Sequence, residues 1–98
     1  MPAITIEELH YASGKVHSRI ELIDGVPNGL LEQWNSSGQI TLRAHFRNGI
    51  KHGRYESWWD NGNLKEFGEY GEGEKRGLYI WYKRSGELWS QHVYETTS

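Results

Sequence analysis

Several side chains in this sequence are of types that perform catalysis when suitably placed. Gly71-Glu72-Gly73-Glu74-Lys75-Arg76-Gly77 sets close glycines ahead of two bases, as a phosphate-cradling loop does. Such a cradle needs a strand before it and a helix after it, and no helical period follows here. Glu8, Glu32 and Glu56 recur at one register and could suggest the paired carboxylates of glycoside hydrolysis. Recurrence in every unit points instead to architecture, with each Glu pairing to a base on the neighbouring strand. The five histidines raise the question of a metal. His17 and His45 can share a face, but no carboxylate or thiolate stands with them at ligand spacing, and His10, His52 and His92 fall on other units or faces. Ser57 and Ser90 lack the surroundings of an activated nucleophile. The expectation is therefore a protein that is not an enzyme, with no catalytic residue, no metal and no cofactor.

The aromatic residues are the other chemically distinctive set. Tryptophan, tyrosine and phenylalanine make up 13% of the chain, too many for a disordered segment. Net charge is only −2 with acids and bases interspersed, so the charge does not favour a nucleic-acid partner. The absence of cysteine excludes a disulfide framework and a zinc-thiolate site. Residues 1–10 contain Glu7 and Glu8 and no apolar run suited to secretion, so a soluble cytoplasmic protein is expected.

The elements that position these residues come from an internal repeat. Gly25, Gly49 and Gly73 are 24 residues apart, as are Gly29, Gly53 and Gly77, and Gly14, Gly38, Gly62 and Gly86 keep the same step. Those three registers hold ten of the 12 glycines. Val16, Ile40, Leu64 and Leu88 form an apolar series; Leu22, Phe46, Tyr70 and Tyr94 form another; Trp34, Trp58 and Tyr82 form a third. One domain, 1–98, is expected, with hairpin repeats at 24–47, 48–71 and 72–95 and a degenerate N-terminal capping half-repeat at 6–23. Each unit contains two strand-like stretches, such as Arg54–Trp59 and Asn63–Tyr70, joined by a glycine turn at Asp60-Asn61-Gly62. The predicted fold is all-β: an antiparallel meander of about 7–8 strands built from tandem hairpins.

Alternation along the strands predicts the faces. If each turn is a three-residue loop, Trp34 faces Ile40, Trp58 faces Leu64 and Tyr82 faces Leu88. Strict alternation puts Ile40, Leu42, Ala44 and Phe46 on that same face. It puts Lys15, His17, Arg19, Arg43, His45 and Arg47 on the other, continued toward the C-terminus by Tyr55, Trp59, Phe67, Tyr79, Trp81 and Trp89. It also sets Tyr55 against Phe67 and Trp81 against Trp89. The aromatics that recur in every unit read as scaffold, whereas Trp59, Trp81 and Trp89 break the repeat and read as interface. The predicted partner-binding set is Trp59, Trp81, Trp89, Tyr55, Tyr79, Arg43, His45 and Arg47. A lone sheet has an unburied face to cover, by twisting, by pairing with another copy or by docking a partner.

The run from Asn48 to Glu66, with Gly49, Gly53, Tyr55, Trp58, Gly62 and Leu64 at their spacings, resembles the bacterial MORN-repeat variant family. The likeness extends over about residues 24–94. It departs where Pro27 and Asn28 replace the usual Lys and His, where Leu30-Leu31 follow Gly29, and in the degenerate first copy. The resemblance implies hairpins laid side by side in an elongated twisted sheet. It also implies a protein partner, as in antitoxin-like proteins of the YwqK type, held by steric capture on an aromatic-rich face. Two further readings remain open: an inhibitor encoded by a phage or mobile element and aimed at a host enzyme or defence complex, and a homo-oligomeric or lipid-associated scaffold, with a homodimer or a membrane surface as partner.

Overall fold

The computed structural model describes residues 2–95. Eight strands follow one another in a single antiparallel sheet whose spatial order is the chain order. They are β1 (Ile4–His10), β2 (Val16–Ile23), β3 (Val26–Trp34), β4 (Ile40–Arg47), β5 (Ile50–Trp58), β6 (Leu64–Gly71), β7 (Glu74–Tyr82) and β8 (Leu88–Tyr94). The meander predicted from the repeat is therefore present. Its extents of 40 × 40 × 10 Å are those of one layer, and among the described residues no second layer covers either face.

Two kinds of turn alternate. Between units, Asp24-Gly25, Asn48-Gly49 and Glu72-Gly73 have positive φ at both residues, as two-residue hairpin loops require if they are to match the right-handed strand twist. The strands consequently begin earlier than the sequence suggested, with β5 starting at Ile50 rather than Arg54. Within a unit the turn is the expected three-residue loop: Gly62 N–H donates to Trp59 O at 2.9 Å and Trp59 N–H donates to Asn63 O at 2.8 Å. Trp34–Ile40, Trp58–Leu64 and Tyr82–Leu88 then stand opposite one another as predicted.

Beyond that first pair the register departs from simple alternation. His17, Thr41, Lys65 and Trp89 are each left without an opposite residue, one bulge per hairpin. A single extra residue sends the rest of the strand to the other face. Ile40 and Leu64 are thus on the opposite side from Leu42, Ala44 and Phe46 and from Tyr70. Tyr55 stands opposite Gly68 rather than Phe67, and Trp81 opposite Ser90 rather than Trp89.

The corrected register defines two faces. On the ladder face the pairs Glu8–Arg19, Arg19–Glu32, Glu32–Arg43, Arg43–Glu56, Glu56–Phe67, Phe67–Ile80 and Ile80–Gln91 form one row across all eight strands. On the tyrosine face, Leu31, Ala44, Tyr55 and Gly68 lie in a central row. Burial is deepest there: Tyr79 is 0% and Ala44 1% exposed, and Ser57 is buried beside them. The sheet therefore buries part of one face by laying long side chains over short ones.

Candidate protein interface

Gly68 shows how the tyrosine face is built. Its equivalents in the other units are Ile20, Ala44 and His92, so the repeat does not demand glycine there. A Cβ added at Gly68 would lie 2.1 Å from Tyr79 Cδ2, so the bare backbone is what admits the Tyr79 ring. Around that ring stand Tyr55 at 6.5 Å, Tyr70 at 6.0 Å, Tyr94 at 6.3 Å and Trp81 at 4.9 Å, measured between centroids. Offset and edge-on contacts of this kind are the favoured geometries of aromatic pairs.

Tyr79 Oη donates to Glu66 Oε2 at 2.7 Å. Burial first, then that hydrogen bond to a carboxylate, hold its phenol protonated far above the ordinary tyrosine range. Tyr55 is shifted in the same direction by burial and by the proximity of Glu66 and Tyr70. Two lysines lie over the cluster: Lys51 Nζ is 5.0 Å from the ring centres of both Tyr55 and Tyr70, and Lys75 Nζ is 5.3 Å from Tyr79 and 5.9 Å from Trp81.

At the C-terminal margin of this face Trp81, Trp89 and Ser90 line an open hollow of about 370 Å³, with Trp89 66% exposed. The bulge brings this about. By removing Trp89 from the ladder it lets Trp81 face a serine and leaves room between the two indoles. A hollow walled by two indoles with a hydroxyl at its side suits an apolar side chain from another molecule.

The rest of the predicted binding set lies elsewhere. Trp59 links two units, its indole N–H donating to Tyr82 O at 3.2 Å while Lys65 Nζ sits 4.7 Å over its ring. Tyr11 makes the equivalent link two hairpins earlier, its hydroxyl donating to Trp34 O at 2.8 Å. Arg43 is on the ladder face, 3.1 Å from Glu32 and 5.9 Å from the Trp58 ring. His45 Nδ1 lies 3.1 Å from the Arg54 carbonyl, to which it can only donate. Arg47 is 3.6 Å from Glu72. The structure thus brings together Tyr55, Tyr79, Trp81 and Trp89 and separates them from Trp59 and the basic trio. Tyr79, with no exposed surface, supports the others rather than touching a partner.

Sequence reasoning missed the contributions of Gly68, Glu66, Lys51 and Lys75. One signal was available, because Gly68 and Gly71 are the two glycines outside the three repeating registers. A Cβ at Gly71 would lie 2.2 Å from the Arg76 guanidinium, so both off-register glycines accommodate a crossing side chain.

Residues 51–70 match the family model of the MORN repeat variant. The matched stretch carries one MORN-type hairpin, from Lys51 in β5 to Tyr70 in β6, and so includes one of the two lysines and two of the tyrosines of the aromatic cluster. No curated protein and no solved structure matches the chain. A MORN repeat suggests a protein- or membrane-binding module. Among the described residues no group of three His, Asp or Glu side chains is placed to hold a metal ion.

Proposed function

We propose that the protein is a non-enzymatic protein-binding module that captures its partner on the C-terminal part of the tyrosine face, in the manner of an antitoxin that neutralises by steric occlusion. One observation carries this reading: the aromatics that break the repeat, Trp81 and Trp89, flank an open hollow beside the cluster of tyrosines around the buried Tyr79. Rigid aromatic anchors that need no reorganisation bind at low entropic cost. Lys51 and Lys75 beside the cluster favour an acidic rim on the partner.

Affinity capture of partners from the native host, with wild type and with Trp81→Ser and Trp89→Ser, tests the reading. The expected result is one specifically captured protein lost from both variants, with their circular dichroism unchanged. Equal capture by wild type and variants would refute the site.

A further inference from the structure

The two edges of the sheet are built to meet each other. β8, Leu88–Tyr94, contains no Asp, Glu, Lys, Arg, Pro or Gly, so apart from the bulge at Trp89 it has none of the devices that keep an edge strand from pairing. β1 also lacks Lys and Pro, but it carries Glu7 and Glu8. Among the described residues the large apolar side chains left exposed are concentrated at these two ends. Ile4, Ile6 and Leu9 lie on β1; Leu88, Trp89 and Val93 lie on β8, with Leu78 beside Val93.

We infer that copies of this chain associate head to tail, β8 of one pairing antiparallel with β1 of the next in the register that joins β6 to β7. That register is already in the molecule where Glu66 stands opposite Trp81 and Phe67 opposite Ile80; the two-residue shift that follows turns on the positive φ of Gly77, whose equivalent in β1 is Thr5, and is not carried over. Advancing the β6 members by one 24-residue unit, and moving the β7 members back by three, sets Ser90 opposite Leu9 of a second copy. It likewise sets Gln91 opposite Glu8 and, with β1 continuing without a shift, Val93 opposite Ile6.

Each new pair is complementary. Leu9, 55% exposed and on the tyrosine face, arrives beside Ser90, where the Trp81–Trp89 hollow is open to receive an apolar side chain. On the ladder face Ile6, 51% exposed, meets Val93, 65% exposed. The Gln91 amide can donate to the Glu8 carboxylate, so the polar row that lapses at Phe67 and Ile80 resumes in the next copy. Pairing β1 with a second β1 would oppose the Glu7-Glu8 charges, whereas β8 brings no acidic residue to them. A heterologous contact of this kind leaves a free β1 and a free β8 at the ends of each pair, so further copies add to it.

The inference deepens the proposed function by naming one protein, a second copy, that occupies the same hollow. It is tested by sedimentation of the full chain with Ile6→Lys, which blocks β1, and Val93→Lys, which blocks β8. Both positions are exposed, and unchanged circular dichroism confirms that the variants fold. The mass of the wild type is expected to rise with concentration without a plateau. Each variant alone should remain monomeric, and their equimolar mixture should stop at twice the monomer mass, because each supplies the edge the other lacks. A wild type that is monomeric at every concentration would overturn the inference, as would a variant that dimerises alone or a mixture that stays monomeric. Capture of a foreign partner by Ile6→Lys leaves the proposed function standing whichever way the sedimentation falls, since Ile6 is on the other face and at the other edge from the hollow.

Discussion

The first five strands and the last three use the same row of the ladder face in different ways. From β1 to β5 the row reads Glu8, Arg19, Glu32, Arg43, Glu56, each charge opposite its complement. From β6 to β8 it reads Phe67, Ile80, Gln91. The adjoining pair changes in step, from Arg54–Glu69 to Leu78–Val93. Across the sheet from this change the tyrosine face acquires its aromatic cluster. Where the repeat keeps its charges, the surface is self-satisfied and solvated. Where it loses them, both faces of one hairpin offer apolar area, and that hairpin ends in the unprotected β8.

The sharpest way to break the contrast is to remove the C-terminal core. Gly68→Val forces a branched side chain into the space of the Tyr79 ring and should cost about 3 kcal/mol of stability in urea titration, or abolish folding. The same substitution made at Ala44, the equivalent position, should cost less, because no aromatic ring there depends on glycine.

A second test uses pH. Tyr79 has a phenol whose proton is held more tightly in the folded chain than at the ordinary tyrosine value of 10.0. Below pH 10 both states keep that proton; above it the unfolded chain releases it and the folded chain does not, so stability must fall as pH rises. The slope should approach about 1.4 kcal/mol per pH unit, and Tyr79→Phe should flatten it in alkaline denaturation curves.

Smaller effects separate scaffold from interface. Trp59→Phe keeps the ring but loses the hydrogen bond to Tyr82 and should cost about 1 kcal/mol while leaving partner capture intact. Trp89→Ser should do the reverse. Glu32→Gln weakens one rung of the charged row and should cost at most about 1 kcal/mol, with the loss shrinking as salt is added. Combining Leu78→Arg with Val93→Glu restores the Arg54–Glu69 pattern in the last hairpin. It should change stability by less than about 1 kcal/mol yet remove self-association, which would place the contrast in surface chemistry rather than folding.

The 24-residue period alone determined the strand order, the turns within units and the first pair of the three full hairpins, because glycine spacing and apolar spacing are local consequences of turn chemistry and strand pairing; it made the turns between units too long. It also separated recurring Trp34, Trp58 and Tyr82 from non-recurring Trp59, Trp81 and Trp89. Sides of the sheet were another matter. One unpaired residue per hairpin reverses every assignment beyond it, and His17, Thr41, Lys65 and Trp89 share no residue type that announces a bulge. The tertiary structure alone therefore decided that Arg43, His45 and Arg47 lie across the sheet from Tyr55, Tyr79 and Trp81. It decided as well that Trp59 ties two hairpins together while Trp89 stands open. A side chain's face depends on counting residues across two paired strands, and its exposure depends on which neighbour is as small as Gly68; neither is a property of one segment read alone.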